Sequence, residues 1–273
     1  MKLNDTIGSF LVSLIDQNNL SGSLPSVLRA LSNLNRLEVS SNNLVGSIPD
    51  SFGEFSLLTS LDLSTNSMTG ILPESLSKLS NLWFLTIYEN EFTGTIPAGI
   101  TKLPSLVILG LWDLPGMNGT IPDFVGQPTM QFLAVAKGGF TGTVPTSVFS
   151  LSNLAHVMLS ESSFTGTIST EFGSLKGLIT LGMAQNNFNG TIPTELGSCT
   201  LLNVLEFYSN HLTGTVPSEL SKLVHLVNLT LGDNDLHGTV PSTLGTLSNL
   251  GKSNPFDVSG ARCSSQIVMW CFA

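Results

Sequence analysis

The chain has 273 residues, 11% charged and 41% apolar, with 26 glycines and 13 prolines. Ten basic residues against nineteen acidic ones give a formal charge of −9, so no positive field exists to neutralise nucleic-acid phosphates or to hold an anionic membrane. The apolar share excludes an intrinsically disordered chain, and no apolar run reaches the roughly 18 residues of a membrane-spanning helix.

In chain order, the first element runs from Ile7 to Pro25, where Phe10, Ile15, Leu20 and Pro25 fall at the positions that later segments give to core residues. Its Ile7 to Ile15 stretch imitates the apolar part of a secretion signal behind Lys2, but no small-residue cleavage site follows, so it reads as repeat. The second element supplies the template: Leu34, Leu37, Val39, Asn42, Leu44, Gly46, Ile48 and Pro49, or LxxLxLxxNxLxGxIP. Its proline recurs at Pro25, Pro49, Pro73, Pro97, Pro122, Pro145, Pro193, Pro217 and Pro241, a period of 24 (49 − 25), with Ser169 in the one place where proline is missing. One such coil cannot bury its own leucines, whereas a stack of about ten closes a continuous core. The expectation is an α/β solenoid with a parallel concave sheet over residues 1–250, followed by a tail or partial cap at 251–273.

The alternation around Leu37 and Val39 is a short strand with those two side chains inward and Arg36, Glu38 and Ser40 outward. Asn42, repeated as Asn18, Asn66, Asn90, Asn186, Asn210 and Asn234, is placed to satisfy backbone groups inside the turn that follows. The glycine of LxGxIP permits left-handed backbone, the proline fixes a second extended piece, and segments such as ESLSKLSNL lead to the next strand.

Against this background, repeats four to six stand out. Their outward positions hold Phe84, Thr86 and Tyr88, then Ile108, Gly110 and Trp112, then Phe132, Ala134 and Ala136, with Trp83 just before the strand. Strands about 4.8 Å apart put Phe84, Ile108 and Phe132 in one row and Tyr88 and Trp112 in another, with Glu89, Asp113 and Glu161 beside them. Aromatic anchors of this kind carry binding energy at low entropic cost, so these five apolar residues are the candidate ligand site. The competing reading is a ladder of rings that only pack along the sheet. The template also breaks here: the turn from Asp113 to Met117 has one extra residue, the next repeat is one shorter, and Gly138 and Ser162 replace asparagine. His156, Met158, Glu206 and Tyr208 form a milder rim.

Other chemistry is absent from the sequence. GTLSNLGKS from Gly245 to Ser253 has five residues between its glycines where a phosphate-binding loop has four. His156, His211, His225 and His237 lack metal-ligand spacing, and no nucleophile and base combination assembles, so no metal, no cofactor and no enzymatic activity are expected. Cys199 reads as a small buried hydrophobe. A further ladder, Thr95, Thr120, Thr143, Thr167, Thr191, Thr215 and Thr239, with Thr93, Thr141, Thr165 and Thr213 beside it, suggests a hydroxyl array that adsorbs to ice or another surface, or else simple repeat duplication. Sequons at Asn4, Asn19, Asn118, Asn189 and Asn228 would accept glycans in a secreted protein, although a template that spells NGT generates them automatically, and Asn228 points into the sheet.

The turns LSGSLP, LVGSIP, FTGTIP, FTGTVP, FNGTIP, LTGTVP and LHGTVP, covering about residues 7 to 250, resemble the plant-type leucine-rich repeats of receptor-like kinases, receptor-like proteins and polygalacturonase-inhibiting proteins. The TGT-rich wording also resembles repeat proteins of photosynthetic protists. That resemblance implies a right-handed leucine-rich-repeat superhelix acting as an extracellular or cell-surface recognition module. It implies a peptide or protein ligand on the concave sheet, with a co-receptor as a further partner, or, as an alternative, a secreted inhibitor of cell-wall-degrading enzymes. It implies neither nucleic acid nor membrane insertion of this segment. Cys263 and Cys271 resemble the paired cysteines of the family's C-terminal cap, the alternative being two free thiols. The cysteine-paired N-terminal cap, signal peptide and kinase of family members are not visible in this sequence.

Overall fold

The computed structural model describes residues 12–127 and 129–251; Asn4, Cys263 and Cys271 lie outside them. Ten parallel strands form the concave sheet, from Val12–Leu14 through Arg36–Glu38, Ser60–Asp62, Phe84–Thr86, Ile108–Gly119, Phe132–Gly142, His156–Met158, Thr180–Gly182 and Val204–Glu206 to Asn228–Thr230. Each aligns with the next coil so that equivalent template positions are direct partners, as in Arg36↔Ser60 and Ser60↔Phe84. The LxGxIP pieces form a second, lateral set of parallel strands, among them Ser67–Ile71, Ser163–Thr167 and Asn187–Thr191. The return segments expected to make this an α/β fold close as single 3-10 turns such as Asp50–Glu54 and Thr194–Ser198, and no α-helix occurs among the described residues. Each of these 3-10 turns spans five residues or fewer, the short run in which i→i+3 hydrogen bonding is ordinarily used.

Leucines from Leu24 to Leu247 form one apolar core running the length of the stack. The proline before each 3-10 turn is extended, with φ −65° at Pro49 and −67° at Pro193. Where the proline is missing, Ser169 takes its place with the same extended backbone (φ −69°), and its hydroxyl accepts the Glu171 N–H at 3.1 Å. The substitution exchanges a fixed φ for a capping hydrogen bond.

The asparagines behave as expected. Asn186 Nδ2 donates to the carbonyls of Leu159, Met183 and Ala184 at 2.8, 3.3 and 3.0 Å, and its Oδ1 accepts the Phe164 N–H at 2.9 Å. The same four bonds recur at Asn42, Asn66, Asn90, Asn210 and Asn234, for example Asn66 Oδ1 to Leu44 N at 2.9 Å. Each asparagine thus ties two successive coils. One residue earlier, ten equivalent non-glycine residues from Gln17 to Asp233 adopt left-handed backbone with φ between 48° and 57°. All are polar, as expected where a β-branched apolar side chain would be strained.

In coils five to seven, where asparagine is lost, two strands lengthen to compensate. Ile108–Gly119 and Phe132–Gly142 run from the concave sheet into the lateral one and pair along their length, with a register shift between Gly138 and Gly139 that leaves Pro115 to Met117 without partners on the second strand, while Gly116 and Met117 pair with Thr93 and Gly94 of the preceding coil. Leu114 fills the vacated asparagine position and is fully buried. Backbone pairing replaces side-chain bridging there.

Asn186→Ala is expected to destabilise the protein by about 3 kcal/mol, since it strands buried backbone groups of two coils. Asn18→Ala, whose bonds to Ile15 and Asp16 are exposed, should cost less than about 1 kcal/mol. Urea unfolding midpoints compare them; equal costs would remove the bridging role.

Candidate ligand-binding face

The outward positions of the concave sheet form three rows. The first reads Arg36, Ser60, Phe84, Ile108, Phe132, His156, Thr180, Val204 and Asn228, set by strand register alone. The second reads Glu38, Asp62, Thr86, Gly110, Ala134, Met158, Gly182, Glu206 and Thr230. The third carries Tyr88, Trp112 and Ala136, of which Ala136 pairs with Trp112.

All five candidate ligand-binding residues come together. Tyr88 and Trp112 stack with ring centroids 3.9 Å apart at 9°, Trp112 meets Phe132 edge-on at 6.3 Å, and Phe132 lies 5.8 Å from the His156 ring. Trp83 packs edge-on against Phe84 at 5.5 Å. Gly110 makes the stack possible: a β-carbon on it would sit 2.7 Å from Trp112 Cζ3 and 2.8 Å from Thr86 Cγ2. The indole therefore leans over a bare stretch of its own strand.

One expectation changes. The sequence suggested large apolar groups open to water, yet Ile108, Trp112, Tyr88 and Phe132 are only 1%, 2%, 3% and 3% exposed. With Ala134 and Ala136 they form a second apolar cluster, on the opposite side of the sheet from the main core, with Phe84 and Met158 packed at its edge. Sequence alternation identified the face of each side chain but not its burial.

Polar residues flank the cluster. On the N-terminal side, Glu38 accepts from Arg36 Nε at 2.9 Å and from Ser60 Oγ at 2.8 Å. Asp62 accepts from Ser64 N–H at 3.0 Å and Thr86 Oγ1 at 2.8 Å, and burial, with Glu38 adding to it, pushes its carboxyl above the usual range. On the other side, the buried Glu206 accepts from Asn228 Nδ2 at 2.9 Å. The Tyr208 hydroxyl is raised by burial and then by Glu206 and Glu161. Glu89, Asp113 and Glu161 all occupy the left-handed position along one edge, and Lys137 within the same column pairs with Glu161 at 3.5 Å. The sequence placed Glu89, Asp113 and Glu161 beside the cluster but not as one column of left-handed residues, whose signal was an unbroken run of polar residues one position before the asparagine site of each coil.

Cys199 is fully buried, donates to the Phe172 carbonyl at 3.2 Å, and has its thiol pushed up by burial. Among the described residues no three His, Cys, Asp or Glu side chains gather to hold a metal, and no helix is long and apolar enough to cross a membrane.

The lateral face is different. Thr93, Thr95, Asn118, Thr120, Thr141, Thr143, Thr165, Thr167, Asn189, Thr191, Thr213 and Thr215 are all exposed, and none is charged. The threonines do not stack as straight columns. The lateral strands are offset, so that Thr191 lies opposite Thr213 and Thr167 opposite Asn189, which makes a staircase. The offset follows from the left-handed glycine in each piece, Gly166 at φ +87° for example. A β-carbon on Gly166 would sit 2.9 Å from Thr143 Cγ2, and the glycines after Thr95, Thr120, Thr167, Thr191 and Thr215 show the same spacing within 0.1 Å. Those six methyl groups share one orientation.

Repeated coils, a parallel concave sheet and an asparagine bridge between coils define a solenoid scaffold that presents a broad face. The fold is that of a leucine-rich-repeat solenoid, with repeats similar to those of the plant type: family models described as leucine rich repeat match residues 32–92 and 201–223. No curated protein sequence matches it. Among solved structures, the chain is similar to the plant peptide hormone receptor RGFR1 in complex with RGF2 (31% identity, 85% of this chain, 41% of that one, TM-score 0.75). It is likewise similar to the ectodomain of the Arabidopsis receptor kinase HAESA in complex with an IDA peptide hormone (31%, 86%, 43%, TM-score 0.71). It therefore spans less than half of these receptor chains. A plant ice-binding protein is matched over more of its length (27% identity, 85% of this chain, 75% of that one, TM-score 0.74).

Burial holds His156 neutral, lowering its pKa from 6.5 to about 4, with Nδ1 3.1 Å from Thr180 Oγ1. Between these two pH values the unfolded chain takes up a proton that the folded chain refuses. Stability contributed here should therefore fall as the pH drops from 6.5 to 4 and level off below. His156→Gln should remove that slope relative to the unaltered protein in urea midpoints at pH 7 and at pH 4.5; parallel pH profiles would contradict it.

Proposed function

We propose that this chain is a non-catalytic, extracellular recognition module that binds a peptide or protein segment along its concave sheet, as in a receptor-like ectodomain. The observation that carries the reading is an apolar cluster on a largely polar concave surface: strand register gathers Phe84, Tyr88, Ile108, Trp112 and Phe132 from three coils into one cluster bordered by carboxylates. Peptide complexes of similar receptor ectodomains support it. A secreted inhibitor of cell-wall-degrading enzymes would use the same face.

The recognition reading is tested with displayed random peptides. Peptides selected on the intact protein should lose at least tenfold in affinity for a Tyr88→Ala, Trp112→Ala, Phe132→Ala variant whose circular dichroism is unchanged, since anchors of this type each carry about 2 kcal/mol or more. Equal affinity would place the site elsewhere.

A second reading is adsorption to ice, favoured by the exposed, uncharged threonine staircase with its six aligned methyl groups and by the similarity to a plant ice-binding protein over most of that protein's length. Asn118 and Asn189, exposed sequons, lie within this face, and Asn19 is exposed as well. Glycans on the first two would cover the staircase and leave the concave sheet open, so glycan mapping of the secreted protein separates the readings. Under the ice reading, Thr143→Lys with Thr167→Lys should abolish thermal hysteresis. Retained hysteresis would exclude this face.

A further inference from the structure

We propose that contact with an ice lattice is made by one threonine column of the lateral face, Thr95, Thr120, Thr143, Thr167, Thr191 and Thr215, whose hydroxyls are held in a common direction by the glycines of the following coils; the inference rests on the ice-adsorption reading. The lateral face has two columns, one residue before and one residue after the left-handed glycine of each piece. After the glycine, six successive coils carry threonine without exception. Before it, the same coils carry Thr93, Asn118, Thr141, Thr165, Asn189 and Thr213. Both columns are exposed, so exposure alone does not rank them.

Packing between coils does rank them. A β-carbon built on Gly119 or Gly142 would meet Cγ2 of Thr95 or Thr120 at 2.8 Å, and one on Gly166, Gly190, Gly214 or Gly238 would meet Cγ2 of Thr143, Thr167, Thr191 or Thr215 at 2.9 Å. Each methyl group therefore occupies the space that the glycine's missing side chain leaves. With one branch of Cβ seated between coils, χ1 is confined to one staggered well, and the hydroxyl on the same carbon takes one direction in every coil. Among the described residues no hydrogen bond engages these six hydroxyls. They are ordered before binding and uncommitted, which removes rotamer entropy that adsorption would otherwise cost. In the other column, Thr93 and Thr213 instead donate to the carbonyls of Gly70 and Gly190 in the preceding coil, each at 3.3 Å. Those hydroxyls tie coils together. The hold depends on the methyl group: Ser23 and Ser47 stand in the first column's register of earlier coils, after the glycine, and only their β-carbons reach the next glycine, at 3.2 and 3.0 Å. The same coils show that the fold accepts serine there, as Ile71 shows for a β-branched apolar residue.

Three triple variants of the full chain, matched in circular dichroism and concentration, test the proposal by thermal hysteresis. Thr143→Ser with Thr167→Ser and Thr191→Ser keeps the hydroxyls but frees them, and should lower hysteresis about threefold or more, since each freed side chain regains up to about three rotamers. Thr143→Val with Thr167→Val and Thr191→Val keeps a methyl group seated and removes the hydroxyl, and should lower hysteresis as far. Thr141→Ser with Thr165→Ser and Thr213→Ser, in the column before the glycine, should leave it unchanged. Full hysteresis in either of the first two variants, or an equal loss in the third, overturns the proposal. A measurement on the unsubstituted protein guards against misfolding: three-bond couplings to the methyl carbons of Thr143, Thr167 and Thr191 should each report a single χ1 rotamer, and averaged couplings would overturn the hold. Absence of hysteresis in the unsubstituted protein refutes the ice reading itself, whereas a loss that does not depend on the column refutes this inference alone.

Discussion

The structure depends on one interaction, the carboxamide of the template asparagine bridging successive coils. Its Oδ1 accepts an amide of the preceding coil and its Nδ2 donates to carbonyls of both, as Asn90 does with Met68 N and Leu63 O. A coil must turn sharply after its concave strand, and that turn leaves polar backbone groups beside an apolar core where no water reaches them. The side chain meets this need within a single residue. It also fixes the spacing between coils, which brings the leucines into contact and gives the outward rows their register.

Where the bridge is missing, the molecule has a different solution and a different surface. Coils five to seven carry Leu114, Gly138 and Ser162 at the asparagine position, and two long strands continue their pairing from the concave face to the lateral one. The aromatic cluster overlaps two of these coils, with Trp112 and Ala136 on the extended strands themselves and Tyr88 contributed by the coil before them.

The two long faces of the solenoid suit different chemistry. The concave sheet mixes stacked rings, buried carboxylates and an acidic edge, an arrangement suited to a shaped, charged ligand. The lateral face repeats a hydroxyl, a methyl group and a glycine with almost no change, which suits a regular surface. Both are products of the same 24-residue repeat. Drift away from the template made the first face distinctive, and fidelity to it made the second.

The sequence by itself determined the repeat, the inward and outward assignment of each strand residue, the bridging asparagines, the burial of Cys199 and the membership of the aromatic cluster, because all of these follow from local alternation and a fixed period. The tertiary structure decided the rest. The return segments close as 3-10 turns, Ser169 caps where proline is absent, the threonines form a staircase rather than columns, and the concave rings are buried. Each of these turns on how one coil sits against its neighbour. Such offsets arise from left-handed glycines and non-local packing, which a one-dimensional pattern of residue types does not encode.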